Sequence, residues 1–145
     1  MADETILGLI YRAHRRLVEL ESTPRDYGTG ELFYSSDIHT VEAVRRQPGC
    51  NLTQLADALG VSKPAASKFT RKLLSRGFLL KENQAGNAKE VSFSLSPKGR
   101  QAERAHQRFT RKVFGPLQAV ESGLSASDRQ VIRSFLEAIG RVSTW

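Results

Sequence analysis

The chain has 145 residues, 39% of them hydrophobic and 26% charged, which is the length of one ordinary domain and the composition of a folded rather than a disordered one. No apolar run reaches the about 18 residues a membrane span needs, and the start Met1-Ala2-Asp3-Glu4 lacks the apolar core of a secretory signal. With a lone Cys50 that has no internal disulfide partner, the expectation is a cytoplasmic protein.

The net charge of +7 is unevenly spread. Residues 63–112 hold 13 Lys and Arg against the three acids Glu82, Glu90 and Glu103, while the rest holds nine basic residues against 12 acids. A surplus confined to one third of the chain is the footprint of a polyanionic partner, although a solubilising surface has the same sign.

In chain order, residues 5–21 carry Ile6, Ile10, Leu17 and Leu20 at helical spacing. Residues 22–34 contain Ser22, Pro24, Gly28 and Gly30 and read as a loop. Ser35-Ser36-Asp37 caps a helix to about Arg46, with Ile38, Val41 and Val44 inward, and Pro48-Gly49 ends it. Asn51 caps a short helix, Leu52 to Leu59, stopped by Gly60. Ser62 caps the next, Lys63 to about Arg76, where Pro64 is tolerated in the first turn and Gly77 closes the end. The period then changes. Phe78-Leu79-Leu80 and the alternating Val91-Ser92-Phe93-Ser94-Leu95 predict a hairpin with a polar turn over 83–88. Ser96-Pro97 starts a long helix with Ala102, Ala105, Phe109, Val113, Leu117 and Val120 on one stripe, which Gly115-Pro116 should kink or interrupt. Ser125 or Ser127 opens a last helix carrying Ile132, Phe135, Leu136 and Ile139.

The stretch 52–78 is a helix-turn-helix. Ala66, Phe69, Thr70 and Leu73 share one face of the second helix and pack on Leu52, Leu55, Ala56 and Leu59 of the first, across the short Gly60-Val61 turn. The opposite face carries Lys63, Pro64, Ser67, Lys68 and Arg71. Lysine and arginine supply phosphate contacts and guanine readout, and small residues such as Ala65 and Ser67 let a helix backbone approach base edges. An ordinary solvated face mixes signs, yet residues 58–81 contain no acid.

The stretch "NLTQLADALGVSKPAASKFTRKLLSRGFL" followed by "VSFSLSPKG" resembles the MarR family of winged helix-turn-helix transcription regulators, with matching helix order on both sides. The resemblance implies a mainly α fold over one domain, 1–145, with 35–98 as the DNA-binding part and 1–21 and 99–145 as long dimerisation helices. It implies a homodimer on a palindromic operator in double-stranded DNA, acting as a repressor released by a small aromatic or anionic effector. The DNA-contacting residues carried over are Thr53, Ser62, Lys63, Pro64, Ala65, Ser67, Lys68, Arg71, Lys81, Asn87 and Lys89. Where family wings commonly carry Asp-x-Arg, this chain has Asn87-Ala88-Lys89, which keeps a charge but loses the bidentate fork. In such a dimer the wedge between recognition unit and terminal helices is expected to hold the effector, against Tyr11, His14 and Arg15 of the first helix, His39 of the second and His106 of the long one.

No Gly-rich phosphate loop, G-x-S-x-G or metal-spaced cysteine pair is present, so no enzyme and no cofactor is expected. His14, His39 and His106 lie in helical segments and read as packed core histidines or as a ligand lining. The i, i+3 pairs His39/Glu42 and Glu103/His106 also allow a carboxylate–imidazole metal site with His14. Cys50 reads as an inert loop thiol, or as a redox sensor if Arg45 and Arg46 lower its pKa. Arg100, Arg104, Arg108 and Arg111 either extend a DNA surface or face solvent and partner acids, and Val142 with Trp145 either caps a dimer interface or frays. A winged-helix module for protein contact is the alternative from another class, and the acid-free helix face argues against it.

Overall fold

A computed structural model of the chain describes residues 5–84 and 86–142, without the side chains of 84 and 87–89. Trp145 therefore lies outside the described residues, as do the side chains of Asn87 and Lys89. Among the described residues the elements follow in the order α1 (Ile6–Ser22), β1 (Arg25–Asp26), β2 (Leu32–Phe33), α2 (Ser35–Arg46), β3 (Cys50–Asn51), α3 (Leu52–Leu59), α4 (Lys63–Ser75), β4 (Leu79–Gln84), β5 (Asn87–Leu95), α5 (Pro97–Gly123) and α6 (Ala126–Gly140). The chain divides into two compact units, 1–106 and 107–145, with the division inside α5.

In the first unit the core gathers around Phe33, Val41, Val44, Leu55, Leu73 and Phe78, each essentially sealed from solvent. Phe33 and Phe78 meet edge to face with ring centroids 4.6 Å apart, an arrangement the aromatic quadrupole favours. The expected inward residues of α2, Ile38, Val41 and Val44, are buried, and so are Ala66, Thr70 and Leu73 of α4, with Phe69 half-buried. The three-stranded sheet has the order β3-β5-β4. Leu79 pairs with Leu95 and Cys50 with Phe93, so the alternation of β5 turns Phe93 and Leu95 inward.

Four details differ from the sequence expectation. The N-cap of α2 is Tyr34, one residue ahead of the expected Ser35-Ser36-Asp37. The 22–34 loop contains the β1–β2 pair, joining Arg25 to Phe33 and Asp26 to Leu32. The hairpin extends through most of the expected turn, to a pairing of Gln84 with Asn87 beyond a register shift at Asn83/Gln84. Ladder bonds join backbone groups and tolerate polar side chains, so side-chain pattern alone ended the strands too early. Finally, α5 runs through Gly115-Pro116 as one continuous helix. Proline removes one backbone donor there, a local loss that the bonds on either side carry.

The "L-S-P-K-G" motif has a packing role. Ser96 Oγ donates to Gly77 O at 2.6 Å and accepts from Gly99 N at 2.9 Å. A Cβ on Gly99 would stand 2.1 Å from the Phe78 carbonyl oxygen. The start of α5 is thus pressed onto the chain leaving α4, and only glycine fits.

In the second unit, α6 begins at Ser125, whose Oγ accepts from Asp128 N at 3.1 Å. This helix buries none of its residues: Val131, Ile132, Phe135, Leu136 and Ile139 are all exposed. In the first unit, α1 likewise buries none and exposes Ile6, Leu7, Leu9, Tyr11, Leu17 and Val18.

Candidate nucleic-acid interface

The helix-turn-helix is built by its caps. Asn51 Oδ1 accepts from Gln54 N and Gln54 Oε1 accepts from Asn51 N, both at 2.9 Å, so the first turn of α3 has reciprocal partners. Gly60 takes φ +65°, the left-handed stop that other residues adopt at a cost. Ser62 Oγ then accepts from Ala65 N at 3.3 Å and opens α4, with Pro64 in its first turn.

Burial of Ala66, Thr70 and Leu73 fixes which face of α4 looks outward. Ser62, Lys63, Pro64, Lys68 and Arg71 are exposed, and Ala65 and Ser67 are half-buried. A groove of about 490 Å³ runs between the start of α3, the outer face of α4 and the hairpin. It brings together Thr53, Ser67, Arg71 and Lys81 of the expected contact set, together with the carboxylate of Glu90. Asn87 and Lys89 extend the same hairpin, but their side chains lie outside the described residues.

The remaining basic residues are sorted by an ionic cluster around the buried Asp37 that the sequence did not announce. Asp37 is fully buried at the start of α2, and its Oδ2 accepts from Lys72 Nζ at 2.8 Å, Arg76 Nη1 at 3.3 Å and Tyr34 N at 3.2 Å. Arg76 also donates to Glu31 Oε2 and to Leu32 O, each at 2.8 Å, with its guanidinium 4.9 Å from the Phe33 ring and 5.0 Å from the Phe78 ring. Lys98 closes the cluster on Glu31 and on Arg76 O. The hydrogen bonds from Lys98 and Arg76 hold the Glu31 carboxyl below the usual carboxylate range. Lys72, Arg76 and Lys98 are therefore held by carboxylates of the fold, Asp37 and Glu31, whereas the exposed Lys63, Lys68, Arg71 and Lys81 have no such ion pair among the described residues. Arg100 turns back to Leu95 O at 2.8 Å, and Arg104, Arg108 and Arg111 are exposed.

The expected effector residues separate. Tyr11, His14 and Arg15 are exposed on α1. His39 and His106 come together with ring centroids 6.4 Å apart, and Tyr27 packs edge-on to His106 at 5.5 Å. Tyr27 was not among the expected residues, because a tyrosine in a Gly-rich loop gives no periodic signal. Burial lowers the His106 pKa, with His39 acting in the same direction and Glu42 and Glu103 pulling against it.

Two sequence readings are corrected. Glu103 is buried and pairs with Arg45 at 2.6 Å, and Glu42 pairs with Arg46 at 2.6 Å. The carboxylates proposed as metal ligands are thus neutralised by guanidiniums of α2, and no group of three or more His, Cys, Asp or Glu among the described residues is placed to hold a metal. Cys50 is not a loop thiol but part of β3, 2% exposed, and burial raises its pKa. A desolvated thiol gives up its proton less readily, which removes the redox reading.

Among the described residues no helix is long and apolar enough to cross a membrane. Residues 33–91 match the family model described as "MarR family". A Bacillus subtilis protein described as the uncharacterized HTH-type transcriptional regulator YhjH is 29% identical over 95 residues, covering 66% of this chain and 54% of that protein. The chain thus spans about half the length of this relative. Among solved structures, Streptococcus pneumoniae FabT in complex with DNA superposes with a TM-score of 0.70 at 17% identity, covering 94% of this chain and 93% of that one. A structure concerning regulation of DNA binding of Bordetella bronchiseptica BpsR by 6-hydroxynicotinic acid superposes with a TM-score of 0.62 at 19% identity, covering 93% and 98%. Through its residues 33–91 and the winged helix-turn-helix they build, the chain is similar to the MarR family.

Proposed function

We propose that this protein is a sequence-specific, DNA-binding transcription regulator rather than an enzyme, working in the cytoplasm as a homodimer on a palindromic operator. The observation that carries the reading is the grouping of Thr53, Ser67, Arg71 and Lys81 around one groove, beside exposed Lys63 and Lys68. Lys72, Arg76 and Lys98 of the same segment are instead paired with Asp37 and Glu31. In this reading α4 enters the major groove, Lys68 and Arg71 reach bases or phosphates, and the hairpin with Lys81, Asn87 and Lys89 follows the adjacent backbone. Residues 35–98 bind DNA, and 1–21 with 99–145 form the dimer. The name of YhjH and the DNA in the FabT structure support this assignment.

Dimerisation is supported by α1 and α6, which have apolar stripes and no buried residue. Exposed apolar surface of that extent is characteristic of an interface. The two recognition helices then reach half-sites about 34 Å apart. The protein acts as a repressor that a small aromatic acid releases. His39 and His106, with Tyr27, offer imidazole and ring contacts for it, and the regulation of BpsR by 6-hydroxynicotinic acid is in keeping with that chemistry.

Selection of bound sequences from a random DNA pool tests the central claim. Enrichment of an inverted repeat supports it, and recovery of unenriched DNA overturns sequence specificity. Operator titrations with and without millimolar aromatic acid test the effector. A curve that no such acid shifts removes it, and His39→Ala should blunt any shift while leaving ligand-free binding nearly unchanged.

A further inference from the structure

We propose that Glu90 is a positioning and charge-limiting residue of the nucleic-acid interface. It orients the Asn51 amide that caps α3, and its carboxylate lowers the affinity of the groove for a phosphate backbone of any sequence. The inference rests on the DNA-binding reading above.

Glu90 stands half-buried on β5, and it is the acid among the described residues that line the groove with Arg71 and Lys81. Its Oε1 accepts from Asn51 Nδ2 at 3.3 Å. The same asparagine accepts from Gln54 N through Oδ1, at 2.9 Å. An amide side chain can be turned over with little change of shape, exchanging oxygen for nitrogen. Turned over here, Oδ1 would face a carboxylate, which has no proton to give, and Nδ2 would face the Gln54 N–H. Both ends would then oppose like groups. An acceptor-only partner across the groove therefore selects the one orientation in which Asn51 caps α3. A glutamine at 90 could donate or accept and would select neither.

The same carboxylate places a negative charge where a phosphate backbone is to lie. Phosphate attraction is independent of sequence and falls linearly with the logarithm of salt concentration. Glu90 should thus weaken binding to all duplexes by a similar factor and make the salt dependence shallower. The position favours release over tight general binding.

The test compares wild type, Glu90→Gln and Glu82→Gln on a random-sequence duplex from 50 to 200 mM salt. Glu90→Gln keeps the shape and an acceptor oxygen but loses the charge. Glu82, on the exposed side of β4, supplies the same charge change away from the groove lining. The expected result is tighter binding by Glu90→Gln at 50 mM and a slope steeper by up to about 0.9. Its advantage then shrinks about three- to fourfold by 200 mM. Glu82→Gln should move the curve less than half as far. Equal shifts in the two variants, or none in Glu90→Gln while wild type binds, overturn the charge role. Faster hydrogen exchange at the Gln54 amide in Glu90→Ala supports the positioning role, and unchanged protection overturns it. Wild type that binds no duplex at 50 mM salt removes the DNA-binding reading, and with it this inference.

Discussion

Replacing Asp37 with Asn probes the ionic cluster around this buried carboxylate with minimal change of shape. The carboxylate is fully buried, and one oxygen, Oδ2, takes the ammonium of Lys72, the guanidinium of Arg76 and the amide of Tyr34. Breaking a buried ion pair from one side costs about 3–5 kcal/mol when the partner charge is left stranded. Neither partner is fully stranded here. The Lys72 side chain is 45% exposed and can turn to water, while Arg76 keeps Glu31 and Leu32 O. Two charge-assisted hydrogen bonds weaken, at roughly 1.5–3 kcal/mol each before that relief, and the new amide brings donors into a buried site that has acceptors for few of them. The expected loss is about 2–4 kcal/mol. It is read as a fall in the urea midpoint at pH 7 with an unchanged slope, at equal protomer concentration because a dimer's stability depends on it. A loss below about 0.5 kcal/mol, the range of ordinary surface substitutions, would refute the view that Asp37 anchors the far end of α4. The paired variant Asp37→Asn/Arg76→Met should lose less than the sum of its single changes, since each single change leaves a charge or polar group behind.

Gly99→Ala should destabilise by about 1–3 kcal/mol in the same assay, because its methyl group meets a backbone carbonyl that cannot rotate away; an unchanged midpoint would show that α5 can slide. Lys68→Ala and Arg71→Ala should each weaken operator binding by roughly 1–3 kcal/mol if the side chain reads a base and by less if it meets phosphate, and intact affinity in the double variant would show that this face of α4 is misassigned. His106 has a folded-state pKa below the ordinary 6.5 because it is buried. Its contribution to stability is therefore complete above about pH 6.5 and declines as the pH falls toward the folded-state value, since the unfolded chain takes the proton first. Midpoints measured from pH 8 to 5 should show this decline, and His106→Gln should flatten it; an identical profile in the variant would contradict the burial argument.

Local signals in the sequence determined most of the elements. Apolar positions at helical spacing, together with Asn51 and Ser62 as caps and Gly60 as a left-handed stop, mark helices through interactions within a few residues, and these sit where the sequence placed them; of the two serines offered for α6, the structure uses Ser125. The outward face of α4 was legible for the same reason: burying Ala66, Thr70 and Leu73 leaves Lys63, Lys68 and Arg71 outside. Tertiary structure decided which charges are available. Lys72 and Arg71 are neighbours of the same sign, yet one is held by Asp37, 35 positions away, and the other lines the groove. Glu31 meets Lys98 across 67 positions. No period or motif encodes such pairs, because they follow from where separate elements dock. The same holds for Glu42 and Glu103, whose spacing to histidine suggested a metal until Arg46 and Arg45 were found beside them. Cys50 became a strand residue only because β5 lies next to it, since pairing in a sheet belongs to two segments and is written in neither.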